Sequence, residues 1–252
     1  MAGGSLPTEL LLVDDGDGLR TITINRPEVK NALTAAMRTR LCELLDEADG
    51  DDAIRAVIVT AVDPVFSAGV DFKEVAGGTA AGPGRNPGKA LRAMATPVLC
   101  AVNGPCVTGA LEIALSCTLI VASERARFAD THARLDVVAA WGLTALLPRA
   151  VGVRKAAEMS ITGNFVDADE ALRLGLVNHV VPHHELMSFT RALAHDIAPT
   201  GAVAEVLDVY RRGDGLPLAD ALALEAEHNA GRRVDPAAFG AAGAAAAARN
   251  KS

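Results

Sequence analysis

Glu112 and Gly109, three residues apart, are the residues whose types and spacing point most directly to chemistry. Glu112 is the only charged residue between Pro97 and Ala122. A carboxylate in so apolar a stretch is costly to bury, so its pKa should rise and it becomes a candidate general acid or base. Gly109 stands at the predicted start of a helix, where unpaired amides and the helix dipole bind an anionic oxygen. The alternative is a helix-start glutamate that backbone amides satisfy, and both interpretations stay open.

A second stretch, residues 66–71, offers further backbone amides. It follows a predicted strand and contains the small pair Ala68-Gly69. Such a pair lets the backbone approach a ligand closely and lets amide hydrogens point outward. A tight turn between a strand and a helix explains the same letters, so this stretch alone does not settle a function.

The third stretch, residues 128–136, groups titratable side chains. His132 lies there between Asp130 and Asp136. Histidine titrates near neutral pH and is therefore suited to acid–base work. A lone histidine is nevertheless more often a surface or packing residue than a catalytic one, so the cluster by itself assigns no role.

All three stretches follow predicted strands, so the elements of the first half of the chain must position them. Apolar β-branched runs predict buried strands, and leucines at helical spacing predict a helix with Thr34 as its N-cap. The predicted strands are residues 20–24, 56–60, 97–102 and 119–121. The predicted helices are residues 34–48, 141–150, 154–161, 168–174, 185–198 and 218–229.

Strands thus alternate with helices in the first half, and helices dominate the second, which predicts an α/β layered core followed by a helical region. We place the core at residues 1–195 and the C-terminal helical extension at residues 196–252. Residues 77–89 are rich in Gly, Pro and Ala and predict a surface loop.

Composition and charge argue against several classes of protein. The chain has 252 residues, of which 50% are hydrophobic and 22% charged, enough apolar surface for one large core. The net charge of −7 argues against a nucleic-acid partner, which requires an excess of Lys and Arg. The apolar stretch of residues 97–122 is long enough to span a membrane, but Asn103-Gly104-Pro105 interrupts it. Lipid offers no partner for backbone groups freed at such a break, so we expect no membrane span.

The four cysteines form no CxxC pair and lie in apolar or helical contexts. This pattern predicts reduced, packing cysteines of a cytoplasmic protein, with no disulfide framework and no metal site. Acidic residues interrupt the first 17 residues, so we expect no secretory signal there.

Four segments, in order and with suitable spacing, resemble the crotonase superfamily of enoyl-CoA hydratases and isomerases. They are residues 22–33, 66–75, 101–117 and 121–130, and the similarity continues through residues 152–181. The resemblance implies an α/β fold, the crotonase (ClpP-like) spiral of ββα repeats, whose C-terminal helices form a homotrimer or a hexamer made of two trimers. It also implies an acyl-CoA thioester as the binding partner, with no cofactor beyond the CoA carried by the substrate.

The same resemblance implies roles for individual residues. Backbone amides of Val70 and Gly109 match the family's oxyanion hole, which stabilises the thioester enolate. Glu112 matches the first of the two glutamates that manage water in the hydratases, and His132 falls on the position of the second. The remaining substrate-binding positions are Arg26, Ala32, Ala68, Asp71, Phe72 and, as core or wall of the acyl pocket, Trp141.

The chain also departs from the hydratase pattern. The glycine-rich turn of the family reads Thr108-Gly109-Ala110, Thr118 stands where an aspartate is usual, and the Gly-x-x-Pro-Gly stretch reads as residues 136–140. The predicted function is an enoyl-CoA hydratase of fatty-acid or related acyl-CoA metabolism, which adds water to a 2-enoyl-CoA to give a 3-hydroxyacyl-CoA. Two alternatives stay open. One is another crotonase reaction that uses His132 (isomerisation, decarboxylation or thioester hydrolysis), and the other is acyl-CoA binding without catalysis.

Overall fold

The computed structural model describes residues 9–77, 84–233 and 235–249, which fall into two compact units. The first unit extends to Val203 and the second begins at Ala204. This boundary lies inside the helix Ala202–Gly213, eight residues after the division that we placed at residue 195.

The first unit is built on one large and one small sheet. The strands are β1 (Leu11–Gly16), β2 (Leu19–Ile24), β3 (Ala56–Ala61), β4 (Val98–Val102), β5 (Pro105–Val107), β6 (Leu119–Ser123), β7 (Arg127–Ala129), β8 (Val166–Asp167) and β9 (His179–Val181). The six-stranded sheet has the order β1-β2-β3-β4-β6-β9, and every neighbouring pair is parallel except β1 and β2. The three-stranded sheet has the order β5-β7-β8.

The edge strand β1 has no counterpart among the predicted strands. Only Leu11 of its six residues is buried, and Asp14 and Asp15 lie within it. An edge strand with so little apolar surface shows no alternating hydrophobic pattern, which is the signal that sequence analysis relies on.

The eight helices described in the first unit are α1 (Ala35–Asp49), α2 (Phe72–Ala76), α3 (Pro87–Ala93), α4 (Gly109–Ser116), α5 (Leu143–Val151), α6 (Val153–Thr162), α7 (Ala168–Leu174) and α8 (Leu186–His195). Thr34 caps α1 as predicted, because its Oγ1 accepts a hydrogen bond from the amide of Met37 at 3.2 Å. The helix predicted from residue 141 begins two residues later, since Gly142 has φ +124 and turns the chain just before α5.

The predicted loop of residues 77–89 is wrong at its C-terminal end. Residues 78–83 lie outside the described residues, but α3 begins at Pro87. Asn86 caps this helix by accepting a hydrogen bond from the amide of Lys89 at 2.9 Å. The proline at the first position suits a helix start, although the composition of the segment is that of a loop.

The large sheet is covered on both faces. All six residues of β3 and all five of β4 are buried, as their continuous apolar runs predict. Side chains on one face join a large core with α1 and α4, and those on the other face pack against α8. This burial fixes the ends of the strands, from which the candidate site is built.

The second unit contains α9 (Ala202–Gly213, where the chain passes from the first unit), α10 (Leu218–Asn229) and α11 (Pro236–Arg249). Glu205 on α9 pairs with His228 on α10 at 3.1 Å and with Arg232 at 2.5 Å. Across the described ranges of both units, no helix is long and apolar enough to cross a membrane.

Candidate active site

Backbone pairing brings the first two predicted stretches together. Ser67 forms a parallel bridge with Cys106, and the amide of Val107 donates to the carbonyl of Ser67 at 3.1 Å. Val70 forms a second bridge with Leu33. The turn after β3 therefore lies directly beside the start of α4.

Two backbone amides at this junction have no acceptor in the described part of the protein. The bridge between Leu33 and Val70 uses the carbonyl of Gly69 and the amide of Asp71, so the amide of Val70 is not used. The amide of Gly109 begins α4 and has no partner either. Two free amides on neighbouring turns can stabilise a developing oxyanion.

Gly69 is required for this close approach. Its φ is +93, and a Cβ atom at this position would lie 2.9 Å from the carbonyl oxygen of Val107 and 3.2 Å from the amide nitrogen of Gly109. Only glycine fits both the backbone conformation and the space. The Ala68-Gly69 pair is therefore more than a generic turn.

Thr108, which precedes Gly109, holds a conformation that usually requires glycine. Its φ is +57 and its ψ is −113. Its amide donates to the carbonyl of Ala129 at 2.9 Å, and its hydroxyl lies 2.5 Å from that of Thr131. These hydrogen bonds hold Thr108 in its unfavourable backbone conformation and so fix the turn that orients the amide of Gly109.

Glu112 is 2% exposed, and its two oxygens have different surroundings. Oε1 accepts hydrogen bonds from the amides of Trp141 at 2.6 Å and Leu143 at 3.3 Å. Burial raises the pKa of Glu112, and these hydrogen bonds offset only part of the effect. Backbone amides thus hold Oε1, as the alternative interpretation expects, but these amides come from the start of α5 and not from the helix of Glu112. They do not bind Oε2.

His132 faces that second oxygen, so the third stretch joins the site. Its Nε2 lies 3.6 Å from Oε2 of Glu112, and its Nδ1 lies 2.7 Å from Oδ1 of Asp130. Asp130 is buried; burial raises the pKa of its carboxyl, but hydrogen bonds from His132 and Ser160 outweigh burial and lower it. Asp136 lies exposed at the end of the 3-10 turn Ala133–Leu135.

Trp141 packs against the turn that carries one of the free amides. A Cβ atom on Gly109 would lie 2.9 Å from Cζ3 of the indole ring. The ring is 9% exposed, and the guanidinium of Arg38 lies 5.4 Å from its centre. The indole therefore forms a rigid wall beside Gly109, where an apolar group of a ligand can pack.

Sequence analysis missed Arg92 on α3. Its Nη1 donates to the carbonyl of Trp141 at 2.6 Å and to the hydroxyl of Ser116 at 2.8 Å. Arg92 thereby holds the segment whose amides bind Glu112. No local motif marks such a residue, because its partners are 24 and 49 positions away.

Comparison with known proteins places these residues in a family. The sequence profile of the enoyl-CoA hydratase/isomerase family matches residues 14–230. A probable peroxisomal enoyl-CoA hydratase of Arabidopsis thaliana is 37% identical over 218 residues, which cover 84% of this chain and 82% of that protein. A short-chain enoyl-CoA hydratase of Clostridium acetobutylicum is 35% identical over 215 residues, with 82% of each chain covered. The chain belongs to the enoyl-CoA hydratase/isomerase family.

Solved structures of this family confirm the predicted crotonase fold. The crystal structure of an enoyl-CoA hydratase of Mycobacterium tuberculosis is 45% identical and superimposes with a TM-score of 0.76, covering 86% of this chain and 96% of that one. A Geobacillus kaustophilus enoyl-CoA hydratase, at 30% identity, superimposes with a TM-score of 0.80 and covers 87% and 88% of the two chains.

The positions that the family resemblance assigns to CoA lie close together in this structure. Arg26 forms an ion pair with Asp71 and donates to the carbonyl of Ala32 at 3.1 Å. Asp71 in turn caps α2, because its Oδ1 accepts from the amides that begin this helix. Ala68 and Phe72 are exposed to solvent. A role for these five residues in substrate binding stays a prediction.

Proposed function

We propose that this protein is an enoyl-CoA hydratase that adds water to a 2-enoyl-CoA and gives a 3-hydroxyacyl-CoA. Family membership and relatives that carry this name over more than four fifths of the chain support the proposal. The observation that carries it is the buried Glu112, whose Oε2 faces His132 beside the unused amides of Val70 and Gly109. No cofactor is required beyond the CoA that the substrate brings.

The proposed oxyanion hole acts on the thioester carbonyl. When a water oxygen bonds to C3 of the enoyl group, the C2–C3 double bond opens and its electrons move to the thioester oxygen. Hydrogen bonds from Val70 and Gly109 stabilise the resulting enolate, and removal of one such donor typically costs about 10²- to 10³-fold in kcat. Because the amides are fixed by backbone pairing, no reorganisation is needed at that moment.

Glu112 and His132 then divide the two proton transfers. The carboxylate of Glu112 takes a proton from the attacking water, and the protonated ring of His132 gives a proton from Nε2 to C2. The enolate collapses back to the thioester. The enzyme is left with a neutral carboxyl and a neutral imidazole, and transfer of one proton between them restores the starting state.

The assembly proposal rests on exposed apolar side chains. Large apolar side chains stand exposed on the helices of the second unit, among them Tyr210 at 71%, Leu218 at 75% and Phe239 at 69%. Large apolar side chains that gather on a surface are commonly covered by another chain. We infer that other copies of the chain cover them in a homotrimer or a hexamer. The four cysteines are all free, which supports our further proposal that the protein works in the cytoplasm.

Loss of the enoyl-thioester absorbance tests the hydratase proposal. A short- and a long-chain 2-enoyl-CoA should both be offered, and turnover of at least one is expected. Glu112→Ala should lower kcat about 10²- to 10⁴-fold, since a positioned acid or base contributes that much. Glu43→Ala, on the exposed side of α1, is the matched control and should be unchanged. Absence of turnover in the native protein that still binds acyl-CoA would refute the proposal.

The pairing of His132 with Asp130 favours a second candidate, another crotonase reaction that relies on histidine. An Asp–His pair is a common general base for hydrolysis, so thioester hydrolysis is the form to test first. Release of the free CoA thiol, measured with a thiol reagent in the same samples, separates hydrolysis from hydration. Thiol release equal to the loss of absorbance would favour the second candidate, whereas hydration releases no thiol. Neither signal, with acyl-CoA bound, would point to the third alternative, binding without catalysis.

A further inference from the structure

Asp130 is a buried carboxylate of the site to which neither the family resemblance nor the proposed proton transfers give a role. It is 3% exposed and follows directly on β7. Its Oδ1 lies 2.7 Å from Nδ1 of His132 and also accepts from the amide of His132 at 3.1 Å. A buried carboxylate with two bonds to one residue fixes both the backbone and the ring of that residue.

The geometry decides which ring nitrogen of His132 carries a permanent proton. A carboxylate only accepts hydrogen bonds, so Nδ1 must be the protonated nitrogen that faces Asp130. The neutral ring then has its lone pair on Nε2, which faces Oε2 of Glu112 at 3.6 Å. Without Asp130, the common alternative tautomer would leave Nε2 unable to accept a proton.

The surroundings keep Asp130 ionised. Burial raises the pKa of its carboxyl, but the bonds from His132 and Ser160 outweigh burial and lower it. Ser160 belongs to α6, so a third element supports the pair. The other charged groups that face the site are Glu112 on α4 and, beyond it, Arg92 on α3, whose charge interacts with that of Glu112.

We propose that Asp130 is a positioning residue, which holds His132 as the Nδ1–H tautomer so that Nε2 exchanges one proton with Glu112 in each reaction cycle. This inference deepens the proposed function and rests on it only for its kinetic consequence. The carboxylate of Asp130 keeps its charge throughout and stabilises the imidazolium form. Of the two ring protons of His132, only the one on Nε2 is transferred.

Nitrogen NMR of the imidazole tests the tautomer without any substrate. In the native protein, ¹⁵N shifts should identify Nδ1 as the protonated nitrogen of the neutral ring, because it faces Oδ1 of Asp130 at 2.7 Å. Asp130→Asn should shift the neutral ring toward the Nε2–H tautomer. The matched control is Asp136→Asn, the same chemical change at an exposed residue of the same segment. Nε2–H as the major native tautomer, or a native spectrum in Asp130→Asn, would overturn the inference.

Kinetics test the consequence for the reaction. Asp130→Asn should lower kcat about 10²- to 10⁴-fold with KM changed less than about threefold, as expected when a residue orients a catalytic histidine. A fall in kcat with an unchanged tautomer of His132 would indicate a merely structural role and overturn the inference.

A second variant and the substrate-free NMR experiment cover the cases in which Asp130→Asn or the activity assay fails. If Asp130→Asn does not fold, Ser160→Ala removes one support of Asp130 and should move the same readouts in the same direction by a smaller amount. If the native protein hydrates no enoyl-CoA, the proposed function fails while the NMR experiment still decides the tautomer. The two failures are therefore distinguishable.

Discussion

At the scale of single residues, Glu112 shows how burial and function oppose each other. Its carboxyl is held by two amides on one oxygen and by an imidazole near the other, yet burial still raises its pKa. A group whose pKa is higher in the folded protein than in the unfolded chain stabilises the fold at low pH. That stabilisation is lost as the pH rises through the folded value. At neutral pH the ionised Glu112 therefore costs stability.

Glu112→Gln should separate stability from activity. The amide keeps the shape of the side chain and an oxygen for the amides of Trp141 and Leu143, but it carries no charge. At pH 7 we expect a higher melting temperature, by about 2–4 °C for each kcal/mol gained, together with almost complete loss of hydration. The gain should shrink as the pH falls toward 4.5, the ordinary carboxyl value. A lower melting temperature at pH 7 would contradict this account; calorimetry across pH measures it.

Activity should follow the ionisation of the same residue. In the proposed mechanism, hydration requires the carboxylate form of Glu112, so kcat/KM should fall as the pH drops through its raised pKa. We expect the acidic limb above 4.5 in a profile measured at constant ionic strength. A profile that stays flat down to pH 4.5 would show that another group accepts the proton.

At the scale of elements, short turns between strands and helices set the site. The Ala68-Gly69 pair and the start of α4 are local patterns, so the sequence alone predicts exposed amides there. Edge strand β1 has too little buried surface to be recognised, and α3 starts in a segment that reads as a loop.

Other features depend on contacts between distant parts of the chain, which no local pattern reveals. The contact of Arg92 with the carbonyl of Trp141 spans 49 positions, and the approach of His132 to Glu112 joins two separate elements. The family resemblance supplied the second of these, while only the structure supplies the first.

Gly69→Ala tests the turn after β3. The new Cβ would meet the carbonyl of Val107 at 2.9 Å, and alanine is strained at φ +93. We expect a stability loss of about 1–3 kcal/mol in chemical denaturation and a fall in kcat of about 10²-fold or more, since the amide of Val70 moves. Gly16→Ala is the control, because nothing lies within 4 Å of its added Cβ. Equal effects of the two variants would contradict the role of Gly69.

Arg92→Gln tests how the start of α5 is held. The carbonyl of Trp141 and the hydroxyl of Ser116 lose a charged donor, so the amides that bind Glu112 should become less fixed. We expect kcat to fall about tenfold or more, with the acidic limb of kcat/KM displaced. The surface change Arg40→Gln should leave both unaltered. An unaltered acidic limb in Arg92→Gln would show that Arg92 does not act through Glu112.

At the scale of the whole molecule, the second unit contributes exposed apolar side chains rather than site residues. Leu218 and Leu222 on α10 are 75% and 57% exposed. Single exposed apolar residues are ordinary, but several on neighbouring helices of one unit favour a subunit interface.

Leu218→Glu should weaken the proposed trimer. A charge at the interface lacks a partner and disfavours association, so light scattering after gel filtration should show a smaller species than the native protein. Asp220→Glu, on the same helix and already acidic, is the control and should keep the native mass. A monomeric native protein would contradict the assembly proposal.

Hydration in water enriched in heavy oxygen distinguishes addition of water at C3 from the other reactions. The native protein, incubated with a 2-enoyl-CoA, should yield a 3-hydroxyacyl-CoA that carries one heavy oxygen at C3, while Glu112→Gln should yield almost none. Mass spectrometry of the intact CoA ester and of its acyl fragment locates the oxygen. A product without heavy oxygen at C3, or a free acid that carries it in the carboxyl group, would contradict the assignment of this site as a hydratase.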